Sequence, residues 1–332
     1  YEYSLIVAPS EISLLAEAPL KTRAALVETI FNQIAISQRQ RGVGAYNVWT
    51  SGDLSSLAMQ SGSAGFPNDP GVPVSGSVGV DYAVAAGWLV GGAIAVDTTT
   101  QTFSLGGNFL QNEFAASGFA AFNKGPLWAD IVGSFGALQD NVDRVVPIGI
   151  TSQANTGQTY GTNVSLAAEG GYNFFAGQIT HGPVAGMVLQ QVHIDGYTET
   201  DSFSAIGGFT ALSFGSQVRN SAVSVLGYEA GADIGIWHPF AKLTWNHELA
   251  STDRSVTAAL TSVSAPAYSM PAIAPGADWA TATMGASVAI RRGVTAYATF
   301  YSQIGQSNVT YYGGELGLNV SLNTPAQAPK SY

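Results

Sequence analysis

The sequence predicts an all-β membrane protein: a twelve-stranded antiparallel up-and-down transmembrane β-barrel with an N-terminal α-helix running through the pore. Two observations predict this fold. After residue 42, apolar residues alternate with small or polar residues in one stretch after another. Before it, residues 19–41 carry an apolar stripe at helical spacing and basic residues near both ends. A sheet with one apolar and one polar face can span a membrane when it closes with its apolar face outward.

The composition supports this fold class and excludes several functions. Charged residues are 10% of the 332 residues, against about 25% in a typical soluble domain. The net charge of −10 lacks the basic footprint of a nucleic-acid-binding protein, and the absence of cysteine excludes disulfide scaffolds and cysteine metal sites. The longest uncharged apolar stretch, residues 82–96, is too short and too rich in glycine for a spanning helix. A soluble all-β protein remains the alternative.

The strands are identified by an alternation of period two, which places successive side chains on opposite faces. In the last stretch the apolar face carries Leu316, Leu318, Val320 and Leu322. The other face carries Glu315, Gly317, Asn319 and Ser321. The same reasoning predicts strands at 43–60, 72–84, 88–106, 108–122, 126–146, 156–177, 182–199, 214–234, 237–262, 277–290, 293–306 and 309–323.

The connections between these strands alternate between short and long. Short ones near 85–87, 123–125, 178–181, 235–236 and 291–292 fit periplasmic turns. Long, polar ones at 61–71, 147–155, 200–213 and 263–276 fit extracellular loops. An even strand number places both ends of the barrel on the periplasmic side. The helix before the first strand must therefore stay in the periplasm or run up through the lumen.

Aromatic residues cluster near the predicted strand ends and suggest girdles at the two membrane interfaces. The core of a β-sandwich would contain similar rings. The candidate girdle residues are Trp49, Trp88, Trp128, Trp237, Trp245, Trp279, Tyr311 and Tyr312.

The helix is predicted to begin at Pro19 and to fill the pore. Val27, Phe31 and Ile34 belong to its apolar stripe. About 20 residues at 1.5 Å per residue span roughly 30 Å, close to the thickness of the hydrocarbon core. A surface helix packed on a soluble core would show the same stripe, and the helix alone does not decide between the two.

Charge suggests how the helix is held. Acids predicted to face the lumen are Asp81, Glu113, Asp130, Glu169, Asp195, Glu229, Asp233 and Glu315. The whole chain has 12 basic residues, and those of the helix are Lys21, Arg23, Arg39 and Arg41. Because an unpaired charge in an occluded lumen is costly, we predict that these bases pair with barrel acids. In the alternative, both sets face water.

Signs of catalysis or metal binding are weak. His181, His193, His238 and His247 are scattered without metal-ligand spacing, and the common nucleophile and phosphate-loop motifs are missing. The run Gly52-Asp53-Leu54-Ser55 has the letters of a Gly-Asp-Ser-Leu esterase motif in the wrong order. We therefore expect no catalytic residue, no metal and no cofactor.

A pore-spanning helix leading into a twelve-stranded barrel resembles the translocator domain of classical (type V) autotransporters, over about residues 12–323. The closer likeness is to the esterase-type members, whose secreted passenger is a Gly-Asp-Ser-Leu hydrolase. Residues 1–15 resemble the junction with the last helix of the hydrolase. His193-Ile-Asp-Gly-Tyr-Thr-Glu resembles a strand reading Val-Asp-Gly-Tyr-x-Glu, and Thr244-Trp-Asn-His-Glu-Leu resembles the pattern Tyr-x-His-Glu.

The resemblance implies a bacterial outer-membrane translocator that brings an N-terminal passenger to the cell surface and anchors it. The implied partners are outer-membrane lipid and lipopolysaccharide, the barrel assembly machinery, periplasmic chaperones and the passenger itself, with a monomeric barrel and no nucleic acid. The implied division is 1–18 passenger end or linker, 19–41 pore helix, 42–323 barrel and 324–332 tail. The catalytic residues of the passenger would lie upstream of Tyr1. We therefore expect a piece of a longer protein that is not itself an enzyme.

The C-terminal strand departs from the family pattern. Barrels of this kind usually end on an aromatic residue that the assembly machinery reads. Here Gly317, Val320 and Leu322 keep the spacing of that signal with aliphatic residues, and residues 324–332 follow. The tail is either natural or an addition.

Two other functions are compatible with a barrel. A general porin would usually have more strands and a constricting loop instead of a helix. A phospholipase-like outer-membrane enzyme would need an Asn-His-Ser constellation on outward strand positions, and we find no suitable His-x-Ser placement.

Overall fold

The computed structural model describes residues 10–39, 43–59, 69–103, 106–201 and 209–322. Twelve antiparallel strands form a closed barrel, because β1 pairs with β12 and β6 pairs with β7. Their bounds are β1 Tyr46–Met59, β2 Asp69–Ala85, β3 Trp88–Thr102, β4 Gly107–Lys124, β5 Leu127–Ile148, β6 Thr151–Tyr172, β7 Ile179–Ile194, β8 Gln217–Ala232, β9 Trp237–Glu248, β10 Asp278–Arg291, β11 Val294–Ile304 and β12 Val309–Ser321. The predicted fold class and strand number are confirmed.

One predicted loop and one predicted strand need correction. Residues 147–155 are not a loop, because β5 and β6 continue for 22 residues each and meet in a tight turn at Gly149, whose φ is 59°. Asn155 is polar but fully buried, so a polar stretch that read as a loop is a strand beyond the membrane. The predicted strand 237–262 ends at Glu248, and a separate strand follows at Ser255–Leu260.

The period of two places apolar side chains outward and polar ones inward, as the alternation predicted. On β12, Leu316 is 68% exposed and faces outward, whereas Glu315 and Asn319 are buried in the lumen. Several inward glycines make room for large rings on the neighbouring strand. A Cβ at Gly79 would overlap the ring of Trp49, and one at Gly317 would overlap Tyr297. The rings therefore lie flat along the wall and leave the lumen open for the helix.

The same parity divides the candidate girdle residues. Outward rings are Trp88, Trp237, Trp245 and Tyr312, each about half exposed. The girdle prediction is wrong for Trp49, Trp279 and Tyr311, which are at most 9% exposed and face inward. Nearness to a strand end predicts the height of a ring along the barrel axis. The position within the alternation decides whether the ring faces outward or inward.

A single long helix occupies the lumen. A 3₁₀ turn at Ser10–Ser13 leads into α1, Leu14–Arg39, so the helix begins before Pro19 and contains it. Gln38, near the end of α1, accepts a hydrogen bond from Asn123 close to a short turn. The start of α1 lies at the opposite, long-loop end of the barrel. Within the described residues, no helix has both the length and the apolar character that a membrane crossing demands.

A second, smaller sheet lies at the long-loop end, and we call it the cap. Its strands are Tyr197–Thr198, Leu212–Phe214, Ser255–Leu260 and Tyr268–Pro271. The cap and the upper wall bury Ile12, Leu14 and Leu15 in one apolar cluster. Arg144 on β5 anchors the cap by donating from Nε to Glu199 Oε1 at 2.9 Å, with both side chains buried. The cap was not predicted, because its strands are too short to show a period.

Candidate functional site: the helix-filled pore

Ion pairs of alternating polarity hold α1 along the lumen. Arg23 pairs with Glu113 on β4. Above it, Glu17 lies 3.0 Å from Arg219 and 2.6 Å from Arg254. Below it, Glu28 lies 3.0 Å from Lys242 on β9. From the cap downward the helix therefore presents an acid, a base and an acid, and the wall presents the complementary charge each time.

These pairs belong to wider hydrogen-bonded clusters, as buried charges require. Arg219 also reaches Glu248 at 3.1 Å, and Glu248 accepts from Ser221 at 2.6 Å. Lys242 also lies 3.1 Å from Glu169. At each of these two levels one wall base, Arg219 or Lys242, thus bonds to one helix acid and one wall acid.

Below Glu28, hydrogen bonds from uncharged side chains hold α1. Ser37 donates to Asp81 at 2.8 Å, and Asn47 donates to the same carboxylate at 2.6 Å. Asn319 on β12 donates to Gln33 at 3.2 Å and to Ser37 at 3.0 Å. The helix therefore bonds to β2 and to the last strand, β12, which lie on either side of β1.

An apolar belt lies between these polar levels. Val27, Phe31 and Ile34 are at most 6% exposed. They pack in one buried cluster with Ile30 and with wall side chains from Trp49, Leu89, Phe119, Val132 and Ala167. Rings and branched chains on opposing surfaces close most of the lumen at this height.

The structure brings some predicted site residues together and separates others. Arg23 and Glu113 are paired. Among the described residues, Lys21 forms no ion pair with an acid: its Nζ donates to Gln306 at 2.8 Å and lies 4.9 Å from the centre of the Trp279 ring. Side-chain amides and a π face are therefore its contacts.

The basic end of α1 differs from the prediction. Arg39 is exposed and lines a space that also contains Glu229. No ion pair between Arg39 and an acid occurs within the described part of the chain. Arg41 lies outside the described residues.

The predicted lumen acids divide into three groups. Asp81, Glu113, Asp130, Glu169 and Glu315 are inward, and Tyr297 donates to Glu315 at 2.5 Å. Glu229 and Asp233 line the space at the short-turn end, but the side chain of Asp233 is 72% exposed and bonds to His238 at 2.6 Å. The assignment of Asp195 is wrong. Its side chain is 60% exposed beside His193, because Val192 and Ile194 are the buried, inward positions of β7 and Asp195 shares the outward parity of His193.

Sequence reasoning missed the ion pairs in which the helix supplies the acid and the wall supplies the base. It sought bases on the helix and acids on the wall, whereas Glu17 and Glu28 supply acids from the helix. The wall bases Arg219 and Lys242 stand at inward strand positions, so strand parity could have identified them. Arg254 lies between Glu248 and Ser255. The sequence predicted this segment as part of the strand 237–262, but it forms no strand in the structure.

The helix leaves two spaces in the lumen. One of about 140 Å³ lies beside its upper half, near Lys21 and Trp279. The other, about 470 Å³, opens near the short turns and contains Arg39, Asp130 and Glu229. No cluster of potential metal ligands occurs among the residues that the structure describes.

A closed up-and-down barrel with an apolar outer face and a polar, helix-filled interior defines an outer-membrane β-barrel. The chain belongs to the autotransporter β-domain family, whose model matches residues 48–300. The resemblance noted from the sequence is therefore confirmed at the level of the family.

Two curated proteins are similar in sequence. An uncharacterized protein of the trpE-trpG intergenic region of Pseudomonas putida is 26% identical over 288 residues, covering 83% of this chain and 46% of that protein. Lipase 1 of Photorhabdus luminescens is 24% identical over 144 residues, covering 43% of this chain and 21% of the lipase. The chain thus spans less than half the length of either relative.

Solved structures share the fold. The translocator domain of NalP from Neisseria meningitidis superposes with a TM-score of 0.71 at 14% identity, covering 92% of this chain and 98% of that one. The β-domain of the Bordetella autotransporter BrkA gives 0.61 at 17% identity, covering 84% and 100%. The transport unit of AIDA-I from Escherichia coli gives 0.55 at 12% identity, covering 83% and 90%.

The chain is therefore an outer-membrane translocator domain with a secretion function. Domains of this family are typically not enzymes. In such barrels the short turns are periplasmic and the long loops extracellular. The cap consequently lies outside the cell, and α1 runs from the cell surface down to the periplasmic mouth.

Proposed function

We propose that this domain delivers its own N-terminal passenger to the cell surface and keeps it anchored there, with α1 as the last passenger segment left in the pore. The observation that carries the proposal is the direction of the chain. Leu14 is buried beneath the extracellular cap, and Arg39 lies at the periplasmic mouth, a few residues before β1. A segment preceding α1 therefore meets the outer surface, and a segment following it enters the barrel from below.

The passenger in this proposal is an esterase or lipase. The likeness to Lipase 1 supports it, together with the segments around His193 and Thr244 that resemble esterase-type members. The barrel itself has no part in hydrolysis in this proposal. The catalytic residues belong to the passenger.

The proposed partners follow from the same role. The outward apolar face fits lipid, and the long-loop end fits lipopolysaccharide. The barrel assembly machinery and periplasmic chaperones bring the unfolded chain to the membrane, with the last strand around Val320 and Leu322 as the signal. The barrel acts as a monomer, because its own helix fills its pore, and it does not bind nucleic acid.

The test uses a short epitope joined before Tyr1, with the chain expressed in a Gram-negative host. Intact cells are treated with a protease, and the barrel is checked by its heat-dependent mobility on a gel. We expect loss of the epitope from intact cells that contain a folded barrel. A folded barrel whose epitope is cleaved only after the outer membrane is opened would contradict the proposal.

The esterase assignment has a separate test. The complete protein is expressed and an ester substrate is supplied to intact cells. Hydrolysis at the surface that disappears when the barrel is removed supports an attached hydrolase. A surface-exposed passenger without ester hydrolysis would leave the translocator role standing and refute the esterase assignment.

A further inference from the structure

Pro19 creates a defect inside α1 that the barrel wall repairs. Proline has no N–H to donate, and its ring interferes with the carbonyl four residues earlier. The Leu15 carbonyl therefore loses its helical donor. Gln111 on β4 replaces it, donating from Nε2 to Leu15 O at 3.0 Å. Gln111 is itself held by Asp140, whose Oδ1 accepts a second hydrogen bond from the same amide at 2.7 Å.

The carbonyl of Pro19 is also bound by the wall. Gln190 on β7 donates to it at 3.1 Å, and Asn163 on β6 donates to it at 3.3 Å. Gln190 also donates to Asn163 Oδ1 at 2.8 Å, which fixes the orientation of both amides. These wall residues are at most 7% exposed. Without the proline, the Leu15 carbonyl would take its ordinary helical N–H, and the buried amide of Gln111 would lose the free acceptor that it now uses.

The same amides lead to the guanidinium one turn further along the helix. Asn163 donates to Glu113 Oε2 at 3.2 Å, and Glu113 pairs with Arg23. Arg23 also donates to Ser165 at 3.4 Å. Gly136 on the wall leaves room for this pair, because a Cβ there would overlap Glu113 and lie 2.5 Å from Arg23 Nη2.

We infer that the wall carries a recognition site for a helix with proline and arginine four residues apart, Pro19 and Arg23, and that this site sets where the passenger's last segment stops in the pore. Gln111 binds the Leu15 carbonyl that the proline frees, Asn163 and Gln190 bind the Pro19 carbonyl, and Glu113 pairs with the guanidinium. The inference rests on the proposed role of α1 as a translocated segment. It goes beyond that role by naming the residues that determine the register.

The charge pattern makes neighbouring registers unfavourable. An outward shift of six residues would place Arg23 at the level of Arg219 and Arg254, which now hold Glu17. Like charges would then meet in a buried setting, and the amides of the recognition site would lose the Leu15 and Pro19 carbonyls that they now bind. Attraction in one register and repulsion in another together give specificity.

The first experiment uses the absence of cysteine from the chain. Val27→Cys introduces a buried thiol on α1, and its reaction with a charged thiol reagent in detergent reports displacement of the helix. Alanine suits a helix far better than proline, so a helix that merely fills space would be held at least as well after Pro19→Ala. We expect modification about fivefold faster, the factor that corresponds to the loss of about one net hydrogen bond.

A double-mutant cycle separates recognition from general damage. Gln111→Leu should accelerate modification in the Pro19 background and have little further effect after Pro19→Ala, because the freed carbonyl is then gone. Additive effects, or a Pro19→Ala chain as well protected as the parent, would overturn the inference. Pro19→Ala with Leu20→Pro is the matched control that moves the freed carbonyl by one residue, and it should fail to restore protection. Gly136→Ala should also accelerate the reaction, whereas Gly133→Ala on the outward face of the same strand should not.

A second experiment reads the register reached in cells. Ser37→Cys with Asp81→Cys replaces a 2.8 Å hydrogen bond by a disulfide that forms only in the native register. The oxidised fraction should fall several-fold after Pro19→Ala, and an unchanged fraction would count against a role in stopping the chain. If the epitope never reaches the surface in the parent, the proposed function fails, while the thiol measurements on the purified chain still test the recognition site.

Discussion

The carboxylate of Glu17 on the pore helix lies 3.0 Å from the guanidinium of Arg219 on the barrel wall, although 202 residues separate them in the chain. Both side chains are 2% exposed. The pair reverses the polarity that the basic ends of the helix suggested. The helix is therefore held by charges of both signs, and replacing either partner leaves a buried charge with an altered environment.

Reversal of the charge at Glu17 should release the upper part of the helix. Glu17→Arg would place a third guanidinium beside Arg219 and Arg254, and breaking a buried pair costs about 3–5 kcal/mol. The readout is the urea concentration at which a Val27→Cys thiol becomes reactive. Glu28→Arg is the control, because the Glu28 side chain is 40% exposed and water screens its pair. Equal effects of the two reversals would show that burial does not determine the strength of the pairs.

Ion conductance should distinguish the basic residues of the helix. Arg23→Glu would oppose Glu113 in a buried setting, so we expect the helix to leave its seat and single-channel conductance in a planar bilayer to rise several-fold. Arg39→Glu should change conductance much less, because Arg39 is exposed in the lumen space at the periplasmic mouth. A larger rise for Arg39→Glu would mean that the lower end of the helix, and not the ion pairs above it, seals the pore.

The fit of rings to glycines should limit assembly. A methyl group at Gly79 would overlap the buried ring of Trp49, and overpacking of this kind costs about 1–3 kcal/mol. We expect Gly79→Ala to lower the amount of heat-modifiable barrel in outer-membrane fractions. Gly118→Ala is the matched control, since nothing lies within 4 Å of its Cβ position. Similar losses in both variants would point to β propensity and away from ring packing.

Arginine substitutions at Leu316 on β12 and at Leu322 just after it should separate stability from assembly. Leu316 is 68% exposed on the outer face of the middle of the strand, where a charge costs about 2–4 kcal/mol in lipid. Leu316→Arg should therefore lower both stability after refolding into lipid and insertion in cells. Leu322→Arg, near the interface, should cost about 0–1 kcal/mol in the same refolding assay. If Leu322 belongs to the assembly signal, that variant should still insert poorly in cells; normal insertion would remove Leu322 from the signal.

The sequence predicts the barrel well because a strand with two unlike faces repeats the same local pattern. Leu316 and Glu315 illustrate this, since each follows from parity alone. Two predictions failed because parity was not followed. Asp195 shares the outward parity of His193, and Trp49 was assigned to a girdle from its height alone although its parity is inward. Residues 147–155 were missed because outside the membrane a strand no longer needs an apolar face.

The pore contacts were harder to predict because they join residues far apart in the chain. The pair of Arg23 and Glu113 was among those that charge sign allowed, but Lys242 with Glu28 required knowledge of which strands face each level of the helix. The cap strands are too short to show any period. The partner of a proline-freed carbonyl, as at Leu15, has no signature in a single sequence.

The long hairpin of β5 and β6 has a consequence for the outer surface of the cell. Strands of 22 residues measure roughly 70 Å at 3.3 Å per residue, whereas the apolar band of an outer-membrane barrel is about 25 Å tall. The hairpin therefore projects far beyond the lipid, with a fully exposed Ile150 at its tip. Ile150 is therefore accessible to large molecules outside the cell, and a foreign peptide inserted there would be displayed at a distance from both the pore and the membrane.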